Sequence, residues 1–198
     1  MNDKFLQEIS KAKLRAVKNL PEMFFFTDRK RVSNVLEVVE NLPENAAIII
    51  REYDLKADQR LNFAQQIALI ARRKNLKFLV GKDWNLAQEI GANGVHFSDF
   101  DQNFAVPKNR HNMILSYSCH RPESIVEAEK LGADLLFYSP IFASKSHLNQ
   151  QPVGIDGLKN FIKKTSLPVY ALGGIDEQNI KLLNNTNISG IGGISIFL

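Results

Sequence analysis

Short runs of apolar residues recur along the chain, separated by polar or amphipathic stretches. Eight of these runs are too short for helices and too continuously apolar for loops, which is typical of strands buried in a parallel sheet. We predict strands at 23–26, 47–50, 78–80, 94–97, 113–118, 135–138 and 169–172, and an eighth within 190–195.

The stretches between these runs place apolar residues at helical spacing. They predict a leading helix within residues 1–20 and further helices at 33–41, 57–74, 86–90, 122–131, 158–164 and 177–187. Eight strands alternating with helices predict the α/β class, as a single (β/α)₈ TIM barrel over residues 21–198.

The C-terminus departs from the ideal count, because the chain stops at Leu198, directly after the eighth strand. The last helix of the barrel is therefore missing. A bare apolar wall would be prone to association. We expect the leading helix, or a second copy of the chain in a homodimer, to cover it.

Composition restricts the class of protein further. A chain of 198 residues with 44% hydrophobic content is sufficient for one domain with one core. No apolar run approaches about 18 residues, so we expect neither a signal peptide nor a membrane partner, and a cytoplasmic location. The net charge of +4 is mild and its basic residues are scattered, which favours an anionic small molecule over nucleic acid.

The seventh and eighth strands both end in a pair of glycines. Glycine lets the main chain approach a ligand closely and adopts positive φ without strain. Asp176 then follows as the predicted N-cap of the helix at 177–187. A strand, a glycine pair and a helix start leave N–H groups free for an anion, as in the phosphate sites of many such barrels. The predicted phosphate contacts are Gly173, Gly174, Ile194 and Ser195.

His120 is the candidate proton-transfer residue. It lies two residues beyond Ser118, at the carboxyl end of the fifth strand, where the active sites of such barrels form. Histidine can accept and return a proton near neutral pH. We predict a catalytic role for His120 with Ser118 beside it; the alternative is that His120 only caps the helix near Pro122. His96 is expected to be a hydrogen-bonded interior residue, and Cys119, on the opposite face of its strand, a packing residue.

Motifs at the strand ends carry a family resemblance. They are Thr27-Asp28, Arg51-Glu52, Gly91-Ala92-Asn93-Gly94-Val95-His96, Ser118-Cys119-His120, Ser139-Pro140-Ile141-Phe142, Ala171-Leu172-Gly173-Gly174-Ile175 and Ile194-Ser195. In this order and spacing the chain resembles the thiamine phosphate synthase/TenI family. The resemblance implies a (β/α)₈ barrel that handles the phosphorylated thiazole half of thiamine. One branch joins it to hydroxymethylpyrimidine pyrophosphate with Mg²⁺, releasing pyrophosphate; the other, the thiazole tautomerases, aromatises the thiazole precursor without coupling.

Departures from the family pattern distinguish the branches. The synthase pattern after the second strand is Gln-Leu-Arg-Glu-Lys, whereas this chain has Ile49-Ile50-Arg51-Glu52-Tyr53. The Asn-Asp pair expected after the third strand is Gly81-Lys82, and a lysine cannot ligate Mg²⁺, which prefers oxygen donors. The resemblance makes Asp101 the remaining metal carboxylate.

Three basic residues are predicted to contact substrate. Lys82 and Lys145 could neutralise a pyrophosphate directly. Arg51 could serve an anionic group or pair with Glu52 or Asp54. We therefore expect a thiazole tautomerase-like isomerase, for which the sequence indicates no certain cofactor. The alternatives are a thiamine phosphate synthase that uses Mg²⁺, and a protein that binds thiazole phosphate or thiamine phosphate without turnover.

Overall fold

Eight parallel strands close into a barrel in chain order, β1 to β8. This architecture comes from a computed structural model of the chain, which describes residues 8–9, 14–101, 104–107, 110, 112–143 and 151–198. The predicted fold class is confirmed; the bounds predicted for the first seven strands differ from the observed ones by one residue at most, and the eighth strand lies within its predicted range. The strands are β1 Met23–Phe26, β2 Ala46–Ile50, β3 Lys77–Gly81, β4 Gly94–Ser98, β5 Ile114–Cys119, β6 Leu135–Tyr138, β7 Val169–Leu172 and β8 Gly190–Gly193.

Helices connect most of the strands on the outside of the barrel. They are α1 Val35–Glu40, α2 Ala57–Arg73, α3 Trp84–Glu89, α4 Ser124–Lys130 and α5 Gly154–Ile162, with 3₁₀ turns at Ile180–Leu183 and Ser195–Phe197. The predicted helix at 177–187 was wrong, since only a 3₁₀ turn forms there. Its C-terminal half cannot continue a helix, because Asn185 and Asn187 adopt left-handed φ values of 59° and 67°.

Side chains on the strands alternate between two apolar layers. Phe25 and Ile48 belong to the outer layer, which packs against the helices. The inner layer fills the barrel with aromatic rings packed edge to face, with Phe24 centred 5.1 Å from Phe137 and 5.2 Å from Tyr170. The interior is therefore a packed core, and ligand space lies at the ends of the barrel.

The predicted leading helix falls largely outside the described residues. Glu8 and Ile9 are helical, and Ile9 is buried in the outer layer. The following segment contacts the N-terminal end of the barrel, where the Arg15 N–H donates to the Ile188 carbonyl at 2.8 Å. At the other terminus, the ring of Phe197 packs against Phe25 with centroids 5.4 Å apart. Both terminal segments thus cover part of the outer layer.

In the described part of the chain, no helix is long and apolar enough to cross a membrane.

Candidate active site

A cavity of about 790 Å³ opens at the carboxyl ends of the strands. Residues that end or follow all eight strands line it, from Phe26 at β1 to Ile196 beyond β8. This is the end of a (β/α)₈ barrel at which active sites form. A second cavity of similar volume lies at the opposite end, beside Leu20 and Pro168. The described residues with predicted site roles all line the first cavity, which we call the rim pocket.

One side of the rim pocket is formed by main chain, and we call it the glycine wall: Gly173, Gly174, Gly192, Gly193, Ile194 and Ser195. Gly173 and Gly174 have φ values of 93° and 69°, which disfavour any other residue. A Cβ on Gly174 would also lie 2.5 Å from the main-chain oxygens of Phe142 and Ala143. The structure therefore brings the four predicted phosphate contacts together in one wall.

Asp176 supports the glycine wall from behind. Its carboxylate accepts hydrogen bonds from the N–H groups of Gln178 and Asn179, at 2.9 and 3.0 Å. The Asn179 amide in turn donates to the Gly174 carbonyl at 2.7 Å. Asp176 thus closes a turn, but the helix for which it was the predicted N-cap does not form, and the 3₁₀ turn at Ile180–Leu183 has Asn179 at its N-cap.

The side formed by residues after β1 to β4, which we call the charged wall, carries Arg31, Arg51 and Lys82 with the carboxylates of Asp28 and Asp101. Arg51 Nη2 lies 3.2 Å from Asp28, and its Nε donates to the Thr27 carbonyl at 2.9 Å. The side chain of Arg51 therefore pairs with neither of the two predicted partners, Glu52 and Asp54. Asp54 instead pairs with Arg29 and Lys30, outside the pocket.

Glu52 is a buried carboxylate beneath Arg51. It accepts hydrogen bonds from the Thr27 hydroxyl at 2.5 Å and from the Arg51 N–H at 3.1 Å. Burial raises the pKa of Glu52, although the Thr27 hydrogen bond and the Arg51 charge oppose the shift. This network ties the end of β2 to the end of β1, which fixes the position from which Arg51 reaches the pocket.

The Asp101 carboxylate, predicted as a metal ligand, is committed to other partners. One oxygen pairs with the Lys82 ammonium, and the other accepts from the Ser98 N–H at 2.8 Å and the Ser98 hydroxyl at 3.0 Å. Among the described residues, no group of three or more His, Cys, Asp or Glu side chains could hold a metal ion. The residues present do not fit a Mg²⁺ site, which requires several oxygen ligands in octahedral geometry.

His120 is oriented by a carboxylate that the sequence analysis did not identify. Its Nδ1 lies 2.6 Å from Asp99, whose other oxygen accepts from the His120 N–H at 2.8 Å. Ser124 also donates to Asp99, at 2.5 Å. Burial opposes ionisation of Asp99, but these hydrogen bonds outweigh it and hold the pKa of Asp99 below its ordinary value. His120 does not cap the following helix, since the N-cap of α4 is Glu123.

Ser118, predicted beside His120, contacts a different histidine. Its hydroxyl lies 3.2 Å from His96 Nε2, and His96 Nδ1 lies 2.9 Å from the Ser116 hydroxyl. Burial, and then the positive charge of Arg51 and Lys82, lower the pKa of His96 to about 3. His96 is therefore a neutral interior residue, as predicted. Cys119 is fully buried, as expected of a packing residue, and burial raises the pKa of its thiol.

The roof of the pocket is described only in part. Ser139 and Ala143 line the cavity, and the Ser139 hydroxyl is buried with no hydrogen-bond partner among the described residues. Lys145, predicted to bind substrate, lies in the stretch 144–150, outside the described residues.

The rim pocket of this parallel (β/α)₈ barrel combines a glycine-rich main-chain wall, paired cations and a histidine oriented by a carboxylate. This combination is typical of barrel enzymes that act on small anionic molecules. A family model described as thiamine monophosphate synthase (TMP-TENI) matches residues 23–197. The chain belongs to this family, and the predicted resemblance is confirmed.

Individual relatives agree with the family match. The chain is 36% identical over 185 residues to a protein of Aquifex aeolicus provisionally named thiamine-phosphate synthase 2, covering 90% of this chain and 98% of that one. It is 30% identical to the thiamine-phosphate synthase of Limosilactobacillus reuteri, covering 72% and 68%. Among solved structures, thiamine phosphate pyrophosphorylase from Pyrococcus furiosus superposes with a TM-score of 0.74 at 26% identity, covering 88% and 85%. These names support the transferase alternative and give no support to the isomerase that the sequence analysis favoured.

Proposed function

We propose that the chain is a thiamine-phosphate synthase, which joins a phosphorylated thiazole to hydroxymethylpyrimidine pyrophosphate and releases pyrophosphate. The observation that carries this proposal is that one pocket presents a main-chain wall and a wall of basic side chains, both suited to anions. Lys82 follows β3, which in a closed barrel of eight strands lies across from β7, whereas Arg51 follows β2, two strands from β8. The glycine wall would take the thiazole phosphate, and the charged wall would take the pyrophosphate. A phosphate on one substrate and a pyrophosphate on the other would together occupy both walls.

Each wall has a distinct task in this reaction. Main-chain N–H groups of the glycine wall hold the phosphate of the nucleophile and so place its ring in the pocket. A new carbon–nitrogen bond forms as the carbon–oxygen bond to pyrophosphate breaks, and the electron pair leaves with pyrophosphate. Arg51 and Lys82 are placed to stabilise that developing charge. This displacement needs no proton transfer, so His120 would contact and orient substrate.

The arrangement of His120 favours a second candidate, thiazole tautomerisation. A histidine held in one orientation by a buried carboxylate, 2.6 Å away, is a common arrangement for a general base. Proton transfer between carbon positions of a thiazole would use this pair and the glycine wall.

Parallel assays of the parent protein and a His120→Gln variant test the two candidates. Coupling is followed by pyrophosphate release from the two substrates, and tautomerisation by the ultraviolet spectrum of the thiazole carboxylate phosphate. We expect coupling in the parent, reduced by less than about 10-fold in the variant, because loss of a proton-transfer group costs about 10²- to 10⁴-fold only where such transfer occurs.

Other outcomes would change the assignment. Tautomerisation without coupling, lost in His120→Gln, would establish the second candidate. Binding of thiazole phosphate with neither activity would identify a binding protein.

A further inference from the structure

Three departures from the family pattern, at Tyr53, Gly81 and Lys82, lie in contact with one another. The Tyr53 ring occupies the space where a Cβ on residue 81 would stand, 2.9 Å from two of its ring carbons. The Lys82 ammonium lies 4.6 Å from the centroid of the same ring, close enough for a cation–π interaction. Glycine at position 81 therefore admits the tyrosine, and the tyrosine supports the lysine.

The loop that carries Lys82 is held in place from both sides. Arg60, on α2, donates to the Gly81 carbonyl at 2.5 Å and to Asp83 at 3.2 Å. The Lys82 N–H donates to the His96 carbonyl at 2.9 Å. Lys82 itself has a φ of 62°, a left-handed conformation that is uncommon for residues other than glycine and asparagine. The main chain is thus fixed in the conformation that directs this lysine towards Asp101.

The pair formed by Lys82 and Asp101 has the charge that a metal site would have. A Mg²⁺ ion with two carboxylates sums to zero, and so does one ammonium with one carboxylate. An ammonium has three N–H donors, of which Asp101 uses one. Both side chains line the pocket, but that of Lys82 is 42% exposed and that of Asp101 only 8%, so the cation is the more accessible of the two to a ligand.

We propose that Lys82, oriented by Asp101 and Tyr53, replaces the metal ion, so that the charged wall binds a pyrophosphate group directly and without Mg²⁺. The inference rests on the proposed function in one respect, namely that the second substrate carries pyrophosphate. Arg51, in the same wall, supplies a second cation with a planar set of donors that suits phosphate oxygens.

Calorimetric titration with inorganic pyrophosphate tests this inference without any assay of turnover. The parent protein should bind in EDTA with an affinity within about 3-fold of that in excess Mg²⁺, a difference of less than about 0.7 kcal/mol. Lys82→Gln should weaken binding at least about 10-fold in both buffers, since it removes a charge-assisted contact. Lys82→Asp, a residue tolerated at positive φ, should bind only when Mg²⁺ is present.

Lys77 provides the matched control, because it begins β3, the strand that Lys82 follows, and lies at the opposite end of the barrel beside the second cavity. Lys77→Gln should change pyrophosphate affinity by less than about 2-fold, as expected for a distant charge screened by salt. Circular dichroism melts would establish that each variant is folded. Strict dependence of the parent on Mg²⁺, no binding in either buffer, or unchanged binding by Lys82→Gln would overturn the inference. Absence of coupling with metal-free pyrophosphate binding intact would instead refute only the proposed function.

Discussion

The glycine wall and the charged wall of the rim pocket meet a ligand by different means. The first uses main-chain groups in conformations that only glycine adopts readily, as at Gly173 and Gly174. The second uses long side chains held by ion pairs, as in Arg51 with Asp28 and Lys82 with Asp101. The glycine wall carries motifs of the family resemblance, whereas the departures at Tyr53 and Lys82 lie at the charged wall. In a wall made of side chains, a residue substitution can replace one cation by another without rearranging the barrel. In a wall made of main chain, the ligand contacts cannot be changed in this way.

The largest effect on ligand binding is expected from Gly174→Ala, which adds a side chain to the wall made of main chain. The added methyl group would meet the oxygens of Phe142 and Ala143 at 2.5 Å and would occupy a φ of 69°. We expect phosphate affinity, measured by calorimetry, to fall by about 100-fold or more, equivalent to about 2.7 kcal/mol. Pyrophosphate binding at the charged wall should change little.

Gly154→Ala separates conformational strain from collision. Gly154 has a φ of 66°, but no atom lies within 4 Å of an added Cβ. The variant should lose about 1–2 kcal/mol of stability to strain and keep its phosphate affinity. If Gly174→Ala bound phosphate as well as Gly154→Ala does, the glycine wall would not be a phosphate site.

A smaller effect is expected from Thr27→Val, which removes the hydroxyl that donates to the buried Glu52 carboxylate at 2.5 Å. The Thr27 hydroxyl is the side-chain group that donates to this carboxylate, so its loss leaves main-chain donors such as the Arg51 N–H at 3.1 Å. Urea unfolding should show a loss of about 1–3 kcal/mol. Pyrophosphate affinity should also fall, because Arg51 loses its support, while phosphate affinity at the glycine wall stays the same.

Thr165→Val is the control for this prediction, because Thr165 donates to Glu129 at 2.8 Å on the exposed surface. Its loss should cost less than about 1 kcal/mol, since water can replace the hydrogen bond. Equal costs for the two threonine variants would mean that the Glu52 network adds nothing to stability.

A pH-dependent effect is expected from His96, which is buried at the floor of the rim pocket. The pKa of His96 is lowered to about 3 in the folded chain. Between about pH 6.5 and 3, His96 is therefore protonated in the unfolded chain but not in the folded chain. Stability should therefore decrease as the pH falls through this window, by up to about 1.4 kcal/mol per pH unit from this residue. Urea unfolding at pH 7, 6 and 5 should show a shallower decrease for His96→Gln. The same slope in both proteins would show that His96 does not carry this acid sensitivity.

Most of the barrel could be predicted because each strand has a recognisable pattern in its own local sequence. Each apolar run, such as Met23–Phe26, is short, continuous and bounded by polar residues, and burial on both faces requires that pattern. The exception at 177–187 rested on Asp176 as an N-cap, and a capping residue does not fix how far a helix continues; only Ile180–Leu183 form a 3₁₀ turn. The asparagines that follow them favour left-handed turns, and that local preference prevailed.

The location of the candidate site could be predicted from the sequence, but the pairing of its side chains with one another could not. Residues at strand ends gather on one rim, which placed His120, Arg51 and Lys82 correctly at the pocket. The partners Asp99 and Asp28 lie more than twenty residues away along the chain from His120 and Arg51. Which of them meet depends on the stagger between neighbouring strands in the closed barrel. Hydrophobic periodicity carries no information about that stagger.

The hydrogen bonds around His96 run in one direction, and this sets what the pocket floor offers to a ligand. The Ser116 hydroxyl donates to the Val95 carbonyl at 3.3 Å, so it accepts the hydrogen on His96 Nδ1. A neutral ring then has a lone pair on Nε2, and the Ser118 hydroxyl must donate to it. The Ser118 oxygen is consequently a hydrogen-bond acceptor for the cavity. At this point of the floor a ligand's N–H or O–H can form a hydrogen bond, whereas a ligand's carbonyl finds no donor.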